Sequence, residues 1–149
     1  MIVVLLAAAA TLADTPLTEG KVRAFLDRQE RAWNAGDLAA WSAAFAEDAV
    51  FVDRYRTPGG ELVPYGQSTL AEARAQARKF RAASKVAETH QVVRVTVTGA
   101  SAQVLARVTS RISGKQGSRT TCAERRQDLV LAAGRLRSRG QTDTFVRCP

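Results

Sequence analysis

The run from Ala32 to Asp53 constrains this chain more than any other part of it. In Ala32-Trp33-Asn34-Ala35-Gly36-Asp37-Leu38 one helix ends and a second begins. Gly36 can take the left-handed conformation that closes a helix, and Asp37 can cap the next one. Phe45-Ala46-Glu47-Asp48-Ala49-Val50-Phe51-Val52-Asp53 then passes into strand spacing and ends on a carboxylate.

The flanking segments extend this pattern. Thr18 is a candidate cap for the first helix, with Leu17 packing back on it. Val22, Phe25, Leu26, Gln29, Ala32 and Trp33 recur at helical spacing, and Gln29 is the one amide in that apolar stripe. The second helix is expected from Asp37 to about Ala46, burying Leu38, Trp41 and Phe45. A strand from Ala49 to about Arg56 puts Ala49, Phe51, Asp53 and Tyr55 on one face. Thr57-Pro58-Gly59-Gly60 is turn chemistry, and Glu61 to Gly66 reads as a short return strand or loop. A third helix, Ser68 to Ala83, buries Leu70, Ala73, Ala77 and Phe80; Arg74, Arg78, Arg81 and Lys85 form a basic, solvated stripe.

The remainder alternates as sheet. Val86 to Thr98 sets Gln91, Val93, Val95 and Val97 on the apolar face and His90 opposite, at the surface or a dimer face. Gln103 to Ile112 follows, and Thr120 to Leu131 with Leu136 to Val146 forms a last hairpin. Three helices and a set of long strands predict an α+β domain, with the helices on one face of a curved antiparallel sheet.

The first ten residues are uninterruptedly apolar, and Thr11-Leu12-Ala13 supplies small residues before Asp14-Thr15-Pro16. The run is shorter than the roughly 20 residues that span a bilayer. We read residues 1–13 as a secretory signal and 14–149 as the mature domain, secreted or periplasmic, with no stable membrane insertion after cleavage. No Lys or Arg precedes the run, and a buried N-terminal strand or helix is the alternative. An even cysteine count in an exported chain favours a disulfide between Cys122 and Cys148. A turn at Ala132-Ala133-Gly134-Arg135 brings the two nearly opposite, given a bulge, for which Gly140 is the natural site. Two free thiols is the reading if the chain is cytosolic. The formal charge of +8, from 22 Lys and Arg against 14 Asp and Glu, reads as a solvated surface, since an exported chain would not meet nucleic acid.

Trp33-Asn34-Ala35-Gly36-Asp37, Glu47-Asp48-Ala49, Asp53, the Gly59-Gly60 turn and Gly66 occur in an order and spacing that resembles the NTF2-like (SnoaL-like) superfamily. The resemblance implies a cone of helices and sheet around a pocket, and homodimers formed through the exposed sheet face. The ketosteroid isomerases of this superfamily carry a general-base aspartate where Asp53 falls. Their oxyanion-donating tyrosine is replaced by Gln29, and their protonated aspartate falls near Gln127, beside Asp128. Steroid isomerisation is therefore not expected, and an Asp-Arg-Asp epoxide-hydrolase arrangement is a poor match because no arginine can be chosen to pair Asp53 with a second acid.

Three functions follow. The first is an exported domain binding a small apolar or amphipathic molecule in the pocket, with Gln29, Trp33, Phe51, Tyr55 and Gln127 as lining residues. The second is a cofactor-independent isomerase, lyase or hydrolase with Asp53 as general base. The third is a dimeric interaction module. Asp53 also has a bland reading, a strand-end carboxylate held by Arg54, Arg56 or a loop amide. Neither a metal nor a cofactor is expected: a lone histidine lacks partners, and no phosphate-cradling glycine loop or GxSxG pattern occurs.

Overall fold

Thr18 starts the first helix of the computed structural model, which describes residues 15–149. The proposed signal, residues 1–13, lies outside the described residues. Thr18 is extended, and its hydroxyl accepts from the Lys21 backbone N–H at 3.3 Å. Helix α1 (Glu19–Ala35) ends at Gly36, whose φ of 73° is left-handed. Asp37 then caps α2 (Leu38–Ala43), its Oδ1 accepting from Ala40 N–H at 2.9 Å.

Helix α2 is shorter than expected, because Phe45 already belongs to β1 (Phe45–Arg56). The cause lies far along the chain: Ser138 N–H donates to the Ala44 carbonyl at 2.8 Å and draws the backbone into a ladder. The return segment is a full strand, β2 (Leu62–Thr69). Thr69 and Glu72 then form a reciprocal capping box that opens α3 (Leu70–Ala83).

Strands β3 (Ser84–Thr98), β4 (Ser101–Gly114), β5 (Gly117–Ala132) and β6 (Arg135–Val146) complete a six-stranded sheet in the order β2-β1-β6-β5-β4-β3. The α+β architecture is the one expected, with one correction. The β1–β6 pair is parallel, so the sheet is mixed rather than wholly antiparallel. First and last strands thereby become neighbours, and Asp53 stands in register with Asp143.

Irregularities shape this sheet. In β3 the register shifts at Val93, so Val86, Glu88, His90 and Val92 point inward before it and Val95 and Val97 after it. Val93 itself is 56% exposed. In β6 Gly140 lies at a bulge opposite Asp128, with a φ of 140°, and a Cβ there would overlap the Val50 carbonyl. That bulge brings Cys122 opposite Val146, and the chain continues to Cys148, which is disulfide-bonded to Cys122.

Two apolar clusters form beneath the helices. Val22, Phe25 and Leu26 of α1 pack on Val104 and Leu129. Trp41, Phe45 and Phe51 pack with Ala73 and Ala77 of α3. The alanines are small, and space remains beside them. Among the described residues, no helix is long and apolar enough to cross a membrane.

Candidate functional site

That space is a cavity of about 340 Å³. Trp33 from α1, Trp41 from α2, Phe80 from α3 and Phe51 from β1 form its aromatic side. Trp33 lies parallel to Phe80, ring centres 6.5 Å apart, and 5.3 Å from Trp41. The sheet supplies Asp53, Glu88, Ser110, Arg125, Gln141 and Asp143.

Arg125 organises these polar groups. Its Nε donates to Asp143 Oδ1 at 2.7 Å and its Nη2 to Asp143 Oδ2 at 2.8 Å, a two-pronged clamp. Its Nη1 donates to Glu88 Oε1 at 3.0 Å. Glu88 also accepts from His90 Nε2 at 2.6 Å and from the Ser110 hydroxyl at 2.8 Å. Burial pushes the Glu88 carboxyl up, but the Arg125 charge and the His90 and Ser110 bonds together bring it down to about 2. Burial likewise disfavours the Arg125 cation, and Asp143 and Glu88 overcome it, so its pKa rises.

Glu88 is placed by the first helix. Asn34 Nδ2 donates to the Glu88 carbonyl at 2.7 Å, and Asn34 Oδ1 accepts from Glu88 N–H at 2.7 Å. Arg81 fastens the same corner, with Nη2 donating to the Asn34 carbonyl at 3.1 Å and Cζ 5.6 Å from the centre of a Trp33 ring. Arg81 therefore does not belong to a solvated stripe: it sits where a cation favours a helix C-terminus.

Asp53 lines the cavity. Burial raises its pKa above the usual 3.8, Asp143 raises it further, and Arg125 lowers it. It is not held by Arg54, whose Nε donates to Thr144 at 2.8 Å. Gly66, its register partner on β2, leaves the space beside its carboxyl open. Tyr65 is the extra residue of the adjoining bulge, and its ring lies 6.1 Å from Phe145, another lining residue. Bulges beside sites commonly re-aim a side chain in this way.

The residues singled out from sequence divide into three groups. Trp33, Phe51 and Asp53 line the cavity. Gln29 and Gln127 are buried behind it, joined by a 3.0 Å bond from Gln127 Nε2 to Gln29 Oε1, and Gln127 reaches Gln141 at 3.4 Å. Tyr55 does not line it: beyond Asp53 the strand leaves the cover of the helices, and Tyr55 is 43% exposed against Tyr65. His90 corrects the expectation of a surface histidine, for its side chain is only 6% exposed, and its Nδ1 lies 3.7 Å from Glu30 Oε2. Glu88, Arg125 and Asp143 are functional candidates that the sequence reading did not single out. Arg125 carries a usable signal, because it is in phase with the inward Ala123, Gln127 and Leu129 of β5. No group of three or more metal-ligating side chains occurs among the described residues.

Residues 22–136 match the SnoaL-like domain, and the chain belongs to that family. Solved structures agree on the fold. A conserved protein from Planctomyces limnophilus superposes with a TM-score of 0.74 at 14% identity, covering 86% of this chain and 95% of its own. A ketosteroid isomerase-like protein from Erwinia carotovora atroseptica gives 0.69 at 15%, covering 89% and 100%. The beta subunit of a benzoate 1,2-dioxygenase from Burkholderia mallei gives 0.68 at 13%, covering 87% and 91%. No curated protein matches the chain by sequence. At such identities the likeness is one of fold, which hosts more than one function.

Proposed function

We propose that the protein is an exported domain that binds one small amphipathic molecule in this cavity, its apolar body against Trp33, Phe51 and Phe80 and its polar group at Asp53. The observation carrying this reading is the division of the cavity into an aromatic side and a charged side. Small-molecule sites ordinarily combine an apolar lining with a few convergent polar groups, in volumes from about 300 Å³ upward. Export is supported by the apolar leader pattern and by the Cys122–Cys148 bond, since disulfides persist in oxidising compartments. Association through the outer sheet face is the companion expectation, and sedimentation velocity would detect it.

Native mass spectrometry of protein purified from its own compartment tests the binding reading. One small molecule per chain is expected, and Ala77→Phe, which fills the cavity from α3, should abolish its retention. Retention unaffected by a folded Ala77→Phe variant would overturn the site.

A second reading, proton transfer by Asp53, is favoured by the raised pKa and by the adjacent Arg125–Asp143 pair. Asp53→Asn should then retain the ligand and lose turnover. Turnover undiminished in that variant would remove Asp53 as the base.

A further inference from the structure

Among the described residues, Asp53 is the cavity carboxylate that no protein cation contacts. Asp143 receives two Arg125 donors, and Glu88 receives a third together with His90 and Ser110. Arg125 directs its donors to those two acids and acts on Asp53 only without contact, less strongly than burial and Asp143 oppose it. The other lining guanidinium, Arg119, is exposed and makes no ion pair among the described residues. Among the described residues the Asp53 carboxylate has neither a hydrogen bond nor an ion pair, although it stands in register with a second carboxylate.

Two arrangements resolve such a group. It can keep a proton, or it can meet a positive charge brought by the ligand. The walls favour the second. Trp33, Trp41, Phe51, Phe80 and Phe145 surround the cavity, and a cation over an aromatic face is attracted by the ring quadrupole. Trp33 already accepts one cation in this way, from Arg81. Carboxylate and rings therefore attract the same sign of charge. Of the cations behind the formal charge of +8, Arg125 is matched at the cavity by Asp143 and Glu88 and Arg119 is exposed to solvent, while more distant ones are screened beyond about 10 Å at 0.1 M salt.

Building on the binding reading above, we infer that the ligand is a small organic cation, an amine or quaternary ammonium, seated between Asp53 and the aromatic side of the cavity. A proton retained on Asp53 would give the opposite preference, for a neutral hydrogen-bonding group over a charged one.

Three probes of one shape separate these outcomes: benzylamine, benzyl alcohol and benzoate, titrated at about pH 7, where carboxyl groups and alkylamines are ordinarily charged. Calorimetry gives affinity, and the fluorescence of Trp33 and Trp41 reports on the cavity. Benzylamine should bind at least about tenfold more tightly than benzyl alcohol, with benzoate weakest. Asp53→Asn, checked for folding by near-ultraviolet circular dichroism, should erase that preference while retaining the alcohol. Equal or tighter binding of the alcohol overturns the inference, as does a preference that survives Asp53→Asn. Tightest binding of benzoate would assign the sign of the site to Arg119 and overturn it too. In these cases Ala77→Phe blocking of whichever probe binds leaves the cavity reading standing. Failure of all three probes to bind would overturn the inference, while the binding reading stands or falls on the native mass spectrometry of wild type and Ala77→Phe.

Discussion

Asp53 and Asp143 are register partners across the parallel β1–β6 pair, yet Arg125 clamps both oxygens of Asp143 and neither of Asp53. Like charges on neighbouring strands destabilise each other. The fold answers one of them internally and leaves the other facing the cavity.

Asp53→Asn is accordingly expected to stabilise the empty protein. Burial and Asp143 raise the Asp53 pKa above 3.8, so the folded state holds this proton more tightly than the unfolded chain. Stability is then lost as pH rises from 3.8 through the raised value. The variant should melt above the wild type near neutrality and converge with it at acid pH. Melting curves across that range read the difference, and a constant gap would contradict it.

Glu88 works in the opposite sense. Its carboxyl lies at about 2 against an ordinary 4.5, so its contribution is full above 4.5 and lost as pH falls toward 2. The difference corresponds to on the order of 3 kcal/mol. Glu88→Gln should forfeit about that much at neutral pH, because Arg125 and His90 lose an ionised partner, and should flatten the acid limb. Urea unfolding at a series of pH values checks both effects. A wild-type protein indifferent to pH between 4.5 and 2 would rule out the network as described.

Cys122→Ser opens a loop closed across 26 residues. Chain entropy assigns such a crosslink about 3 kcal/mol, or roughly 10 °C in melting temperature for a domain of this size. Reductant should lower the wild-type melting temperature to that of the variant and leave the variant unchanged. A variant that melts with the oxidised wild type would show the crosslink to be energetically idle.

Two glycines provide a matched pair. Gly134 has a φ of 72° with open space around it, so Gly134→Ala should cost only about 1–2 kcal/mol, the ordinary left-handed penalty. Gly140→Ala drives a methyl into the Val50 backbone and should cost more than about 3 kcal/mol or prevent folding. Comparable denaturation midpoints for the two variants would refute the close approach of β6 to β1.

Local chemistry is legible in this chain, and relations set at a distance are not. Thr18, Gly36 and Asp37 act within a turn of their own positions, and all three cap as their types suggest. Asp53 follows from period-two phasing with Ala49 and Phe51, both buried. Phasing fails in β3, where one extra residue at Val93 reverses the faces and hides His90 and Glu88 from a reading begun at the valines. Nothing near Val93 announces that bulge, since it answers to the ladder with β4. The parallel pairing of β1 with β6 depends on strands about ninety residues apart, as in the Arg54–Thr144 bond. Asn34 is legible as part of a helix end but not as the clasp of Glu88, which lies 54 positions later.

The adjacency of β1 and β6 also dictates when the cavity can exist during synthesis. The acid at 53 emerges from the ribosome 72 residues before Arg125 and 90 before Asp143. Until then Phe45 and Phe51 lack the strand that flanks them, and β1 presents an unpaired edge. Until β6 arrives, that edge is open to pairing with other chains.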